Sequence, residues 1–140
     1  MAGLGLTAVI AAGRIDDDLA HLRSLRELLW VGLRGFDGVR LNCDQDGFPG
    51  ILNVSVAGVE GESLLLALEP LQVATGSACN SKSQEPSYVL RALGLTDLEA
   101  QSAIRFSVGR PTTADEVTLA ADRYRQAVAK LRQLAPEAAA

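Results

Sequence analysis

The sequence predicts an α/β fold, a small α/β sandwich in which a short, mostly antiparallel or mixed sheet is flanked by helices. Three observations lead to this prediction. Apolar residues recur at helical spacing in the long segments, β-branched and apolar residues form several short segments, and the two kinds of segment follow one another in the order αββαβαβα.

The N-terminal quarter is predicted to be helical. The apolar segment GLGLTAVIAAG has no basic residues before it and ends at Arg14, too soon to span a membrane, so we expect a packed helix and not a signal peptide. Aspartates at 16–18 place negative charge where a second helix begins. Leucines recur at threes and fours from Leu19 to Leu33, which is typical of one apolar stripe, and Gly35 ends the helix.

Two strands and a short helix are predicted next. Residues 39–42 and the β-branched segment around Val54 form the strands, and the residues CDQDGFPG between them are typical of turns. A turn at 58–61 then leads into a helix over 62–68. A third strand is predicted over 71–74.

A polar loop of about ten residues follows this strand and carries Cys79. Gly76 hinges the loop, and Pro86 is expected in the first turn of the helix that follows, where its missing N–H has no consequence. Gly94 ends that helix. The thiol on this segment, which is anchored at both ends, is either an incidental surface cysteine or a group that the loop carries between two sites.

Two capping boxes and one strand define the C-terminal part. Thr96 with Glu99, and Thr113 with Glu116, have the spacing of capping boxes that begin helices. Between them, residues 103–108 alternate, so that Arg105 lies on the face opposite the apolar one. The buried face of the last helix is predicted to carry Val117, Ala120, Ala121, Tyr124, Val128, Leu131 and Leu134.

Composition limits the classes of function. The net charge of −4 and the pI near 4.9 argue against a nucleic-acid surface. Two cysteines indicate no disulfide framework and favour the cytoplasm. One histidine and two distant cysteines do not have the spacing of a metal site, so no metal is expected. His21 lies off the leucine stripe and is interpreted as a solvated surface residue; Cys43 is interpreted as an unremarkable thiol with nothing basic around it.

Several segments, in order, resemble one family. TGSACNS, EPSYVLRALGL, SAIRFSVGR, LNVSV and VEGESLL look like the C-terminal part of the NifS/IscS-type cysteine desulfurases, which are class V aminotransferases that depend on pyridoxal phosphate. The resemblance covers roughly residues 16–136. It implies the small C-terminal domain of a fold-type I pyridoxal-phosphate enzyme, with a long cysteine loop of the kind found in IscS.

The resemblance also implies site residues. In the family, cysteine condenses with the cofactor, the loop cysteine attacks its sulfur, alanine leaves and a persulfide remains, and by position that cysteine is Cys79. Arg105 matches the arginine that holds the substrate carboxylate, a task suited to the planar guanidinium fork. Lys82 is either a solvated loop residue or a modest influence on the pKa of Cys79. Arg110 lies in the same motif, without an assigned role.

The lysine that forms the cofactor's Schiff base in the family has no counterpart in this sequence. Lys82 lies in the polar loop and Lys130 on the C-terminal helix, and neither has the Ser-x-His-Lys context of the family. No cofactor-binding residue is therefore predicted, and no pyridoxal phosphate is expected on this chain alone. The resemblance implies that a missing large domain supplies the cofactor site.

Three functional hypotheses remain open. The chain is the small domain of a cysteine desulfurase that passes persulfide sulfur to iron–sulfur cluster or thio-cofactor assembly; it is a stand-alone persulfide carrier; or it is an inactive truncated fragment. The expected partners are the large domain, sulfur-acceptor or scaffold proteins, and further copies of this chain through an exposed apolar surface. The predicted division is a single domain over 1–140, with a linker helix region over 1–35, a core over 36–136 and a frayed tail over 137–140.

Overall fold

The computed structural model describes residues 2–75 and 86–135, which form six helices and four strands. The helices are α1 (Ala2–Ala12), α2 (Ile15–Arg34), α3 (Gly61–Ala67), α4 (Tyr88–Ala92), α5 (Asp97–Gln101) and α6 (Ala114–Leu134), and the strands are β1 (Val39–Leu41), β2 (Ile51–Val56), β3 (Ala74–Thr75) and β4 (Ile104–Ser107). Over the same residues, no helix combines the length and the apolar character that crossing a bilayer requires.

The four strands form one antiparallel sheet in the order β1-β2-β4-β3. This architecture confirms the predicted α/β class. Strand β4 is an inner strand, and its residues Ile104 and Arg105 have partners on both sides. Arg105 of β4 lies directly opposite Asn53 of β2 and Ala74 of β3.

One face of the sheet packs against α2 and α6 and forms the main core. The alternation in β2 and β4 supplies the sheet's part of this core, and the leucine stripe of α2 supplies another. The rings of Phe106 and Tyr124 meet edge-to-face with 5.8 Å between centroids, which joins β4 to α6. A smaller apolar cluster joins α4 and α5 and comprises Leu90, Leu95, Ala100 and Ala103.

Helix α1 has the predicted conformation but not the predicted packing. Every residue from 3 to 12 is exposed, and Leu4 is 78% exposed. The expectation that this segment packs is therefore wrong for the chain as described, because the helix is apolar on all sides and finds no apolar partner among the described residues. The self-association that such a surface favours stays a prediction.

Three details of the predicted elements are also wrong. Strand β3 is only the pair Ala74–Thr75, where residues 71–74 were expected. Pro86 precedes the N-cap Ser87 of α4 and does not occupy its first turn. Leu134 is 70% exposed, because none of the described residues covers the last turn of α6.

The predicted helix ends are otherwise confirmed. Both capping boxes are present, with Thr96 paired to Glu99 and Thr113 paired to Glu116. Hydrogen bonds from Thr113 lower the pKa of Glu116 from its ordinary value. The predicted tail and the division of the chain at residues 35 and 136 stay predictions, since residues 136–140 lie outside the described part.

Tyr124 provides a test of the core, because its side chain is fully buried and its hydroxyl has no hydrogen-bond partner among the described residues. A buried hydroxyl without a partner destabilises the folded state by about 1–3 kcal/mol. We therefore expect Tyr124→Phe to leave the stability at pH 7 unchanged or to raise it by about 1 kcal/mol, as measured by urea denaturation.

The pH dependence of the same variant gives a second measurement. Burial raises the pKa of Tyr124. Above about pH 10 the unfolded tyrosine loses its proton while the folded one keeps it, so the stability of the wild type should fall with rising pH. The stability of Tyr124→Phe should fall less steeply over the same pH range. A variant less stable by about 2 kcal/mol at pH 7 would mean that the hydroxyl has a partner in solution.

Candidate functional site

Arg105 lies on the face of the sheet opposite the core. Strand β4 alternates, with Ile104 and Phe106 buried and Arg105 and Ser107 exposed, as the sequence predicts. The guanidinium has no hydrogen-bond or ion-pair partner within residues 2–75 and 86–135. By contrast, Arg40, the arginine of β1, pairs with Glu99 at 3.4 Å. As far as the described residues go, Arg105 thus presents a cation without a counter-ion on a sheet surface.

Three polar side chains form a hydrogen-bonded row on this same face. The Ser55 hydroxyl donates to Asn42 Oδ1 at 3.2 Å, and Asn42 Nδ2 donates to Asn53 Oδ1 at 2.9 Å. Ser55 and Asn42 are buried, with 1% and 8% of their surface exposed, and Asn53 is half-buried. The row ends at Asn53, directly opposite Arg105.

Sequence reasoning missed this row. The segment LNVSV contributes to the resemblance, which implies no role for its polar residues. A signal was present, since Asn53 and Ser55 interrupt a β-branched strand at alternate positions and so mark its second face. Asn42 gave no such signal, because it follows the end of β1 and its contact with β2 depends on the strand register.

Cys79 and Lys82 lie outside the described residues. The structure describes the chain up to Thr75, where β3 ends, and again from Pro86. The juxtaposition of Cys79 with Arg105, and the influence of Lys82 on the pKa of Cys79, therefore stay predictions.

The described residues do not fit pyridoxal phosphate. The cofactor requires a lysine amine, and the lysine in the described part of the chain is Lys130, an exposed residue of α6. Helix α6 covers the core face of the sheet, whereas Arg105 lies on the other face. These two side chains cannot contribute to one site.

Arg110 has a positioning role that the sequence did not reveal. Its guanidinium donates two hydrogen bonds to the Asp18 carboxylate, from Nε at 2.9 Å and from Nη2. This pairing lowers the pKa of Asp18 and raises that of Arg110. Asp18 was expected to act through the helix dipole, but it also links the start of α2 to the turn after β4.

His21 also differs from its interpretation. It was expected to be solvated, yet the ring is half-buried and Nε2 donates to the carbonyl of Thr112 at 3.1 Å. The reason is that the first turns of α2 lie beside residues 110–112, which sequence spacing does not show. The contact ties α2 to the same turn that Arg110 binds.

Cys43 has a basic neighbour, contrary to expectation. Arg26 Nη2 lies 3.4 Å from its sulfur, and the same guanidinium donates to the carbonyls of Asp44 and Gln45. Arg26 also lines a cavity of about 280 Å³ between α2 and the first two strands. Cys43 itself is half-buried and packs against the main core. No cluster of three or more metal-binding side chains occurs in the described ranges.

The sequence is similar to one family of known proteins. The sequence profile of the aminotransferase class-V family matches residues 1–119. Proteins named cysteine desulfurase IscS from Klebsiella pneumoniae and Salmonella schwarzengrund are 51% and 50% identical over 135 residues, which is 96% of this chain and 33% of each relative. The chain therefore spans about a third of the length of the curated relatives it matches.

A solved structure supports the fold. The NifS-like protein from Rickettsia africae has a TM-score of 0.72 over 94% of this chain and 34% of its own, at 19% identity. At this identity the likeness concerns the fold alone. A second structure, titled NifS-like protein, has a TM-score of 0.71 over 87% of this chain, at 26% identity.

Proposed function

This chain belongs to the aminotransferase class-V family, and from that membership we propose that it is the small domain of a pyridoxal-phosphate-dependent cysteine desulfurase. Arg105 binds the carboxylate of L-cysteine, and Cys79 receives the sulfur as a persulfide. A large domain on another part of the protein, or on a separate chain, holds the cofactor. The sulfur then passes to an acceptor for iron–sulfur cluster or thio-cofactor assembly.

The observation that carries this proposal is that Arg105 has no counter-ion within residues 2–75 and 86–135. An arginine without an internal counter-ion is suited to an external carboxylate, which it grips through two parallel hydrogen bonds. The neighbouring positions, Asn53 and Ala74, are uncharged and do not compete with such a ligand.

Chain connectivity supports the role of Cys79. Ala74 of β3 is paired with Arg105, and Cys79 follows Thr75 by four residues. An extended chain advances at most about 3.6 Å per residue, so the Cα atoms of Cys79 and Thr75 are at most about 14 Å apart. That range is short enough for the thiol to approach a substrate held by Arg105.

The proposed reaction balances in atoms and electrons. The C–S bond of L-cysteine breaks and an S–S bond forms to Cys79, which gives a Cys79 persulfide and L-alanine. The carbon that loses sulfur keeps the bonding electron pair and takes up the proton that Cys79 releases. The attacking species is the thiolate, so the reaction requires either a lowered pKa at Cys79 or a nearby base.

The poor fit of the described residues to the cofactor favours a second candidate. A stand-alone persulfide carrier would need Cys79 but neither a cofactor nor Arg105. Its thiol would accept sulfur from the persulfide of a donor protein by exchange. The two candidates differ in whether L-cysteine is a substrate and whether Arg105 matters.

The first test compares this chain alone with a mixture that contains the pyridoxal-phosphate-loaded large domain of an IscS relative. We expect alanine release from L-cysteine and a Cys79 persulfide in the mixture, and neither from the chain with free cofactor.

The second test replaces Arg105 by lysine. Arg105→Lys keeps the positive charge but loses the planar fork of the guanidinium, and we expect kcat/KM in the mixture to fall by about a hundredfold.

Two outcomes would contradict the proposal. Alanine release by the chain without the large domain would show that the lysine assignment is wrong. Unchanged turnover in Arg105→Lys would remove the proposed carboxylate site. Loading of Cys79 from a persulfide donor, without any reaction in the mixture, would instead support the carrier.

A further inference from the structure

We propose that Asn53 is a second hydrogen-bond donor to the carboxylate that Arg105 binds, with Asn42 as the positioning residue that orients its amide. This inference rests on the proposed function of Arg105. It assigns a ligand contact to a residue of β2.

The sheet register brings the two donors together. Asn53 and Arg105 are directly opposite each other in the antiparallel pair of β2 and β4. Residues opposite each other project from the same face, with Cβ atoms about 4.5–5.5 Å apart. A carboxylate gripped by the guanidinium fork therefore lies within reach of a side-chain amide at position 53.

The hydrogen-bonded row determines which end of the amide is available. Asn53 Oδ1 already accepts from Asn42 Nδ2 at 2.9 Å. The Nδ2 group of Asn53 has no partner in the parts of the chain that the structure describes. The Nδ2 group of Asn53 is thus the available end of the amide, and as a hydrogen-bond donor it suits a carboxylate.

Asn42 is itself held on two sides. Its Oδ1 accepts from the Ser55 hydroxyl at 3.2 Å, and its backbone N–H donates to the carbonyl of Asn53 at 2.9 Å. Rotation of the Asn42 amide alone would set its Oδ1 against Asn53 Oδ1, and rotation of the Asn53 amide alone would set its Nδ2 against Asn42 Nδ2, so either rotation would lose the hydrogen bond between the two amides. The row therefore resists the flip that would turn the acceptor end of Asn53 toward Arg105.

The combination fits a carboxylate better than either residue alone. A carboxylate has about four lone-pair sites, of which the guanidinium fork uses two. An uncharged donor on the adjacent strand can fill a third without a second positive charge. An aspartate at position 53 would instead neutralise Arg105 within the protein.

The test uses this chain with L-alanine as the probe and L-alaninamide as the control that lacks the carboxylate. Side-chain resonances of Asn53 Nδ2 and Arg105 Nε are followed by NMR during titration. We expect both to shift with L-alanine and neither with L-alaninamide. Asn53→Ala should weaken L-alanine binding about three- to tenfold, the effect of one hydrogen bond, and Arg105→Ala should abolish it.

A double-mutant cycle tests the positioning role of Asn42. Asn42→Ala should weaken binding about as much as Asn53→Ala, and the double variant no more than either single one, because both lose the same contact. Ser55→Ala should weaken L-alanine binding less than Asn42→Ala does. It replaces Asn42→Ala in the cycle if thermal unfolding shows that Asn42→Ala does not fold. Additive losses would overturn the positioning role.

The outcomes separate this inference from the proposed function. If Arg105→Ala abolishes binding while Asn53→Ala binds as the wild type does, the carboxylate site stands and the role of Asn53 is wrong. If the wild type gives the same response to L-alanine as to L-alaninamide, both proposals fail.

Discussion

Replacement of Cys79 by serine should abolish persulfide formation, with a loss of at least about a thousandfold in the mixture with the cofactor-bearing large domain. Serine retains the shape of the side chain but provides no sulfur for the S–S bond. The measurement is mass spectrometry of the peptide that contains position 79, which gains the mass of one sulfur atom in the wild type.

Cys43→Ser is the matched control for this substitution. Cys43 is half-buried against the main core and hydrogen-bonded by Arg26. We therefore expect persulfide formation at Cys79 in the Cys43→Ser variant to remain within about twofold of the wild type. Recovery of the extra sulfur on Cys43, or an undiminished signal in Cys79→Ser, would show that the loop cysteine is not the acceptor.

Gly61→Ala should destabilise the fold by about 3 kcal/mol, at the upper end of what overpacking causes. A Cβ at this buried position would lie 2.0 Å from the carbonyl oxygen of Gln101 and 2.7 Å from its carbon. Both are backbone atoms, so α5 would have to move away from α3. Chemical denaturation measures the loss directly.

Gly35→Ala is the matched control, because a Cβ added at Gly35 would contact no other atom. Its φ is −86°, and no atom lies within 4 Å of an added Cβ. We expect its stability to remain within about 0.5 kcal/mol of the wild type, or to rise slightly. Equal stability of the two variants would mean that α3 and α5 are not in contact in solution.

The contrast between these glycines shows what local pattern can reveal. Gly61 was interpreted as a turn residue, yet the glycines with positive φ are Gly38, Gly58 and Gly94 in the described ranges. The need for glycine at 61 comes from a carbonyl forty residues later, and nothing in the local sequence indicates that approach. Gly94 was correctly interpreted, because a helix end is a local feature.

The sequence alone determined the elements whose causes are local. The alternation around Arg105, the leucine stripe of α2 and both capping boxes depend on residues within one or two turns, and the structure confirms them. Family membership was also readable from the sequence, because motifs such as SAIRFSVGR are short and contiguous.

Contacts between distant side chains follow from the three-dimensional fold and not from local sequence. The pairing of Arg110 with Asp18, the contact of Arg26 with Cys43 and the row from Ser55 to Asn53 each join residues that are remote in sequence or lie on different elements. Strand register and helix packing set these contacts, since a shift of one residue would turn Asn53 away from Arg105. Local periodicity gives the face on which a residue lies, whereas the neighbour across that face depends on how the whole chain folds.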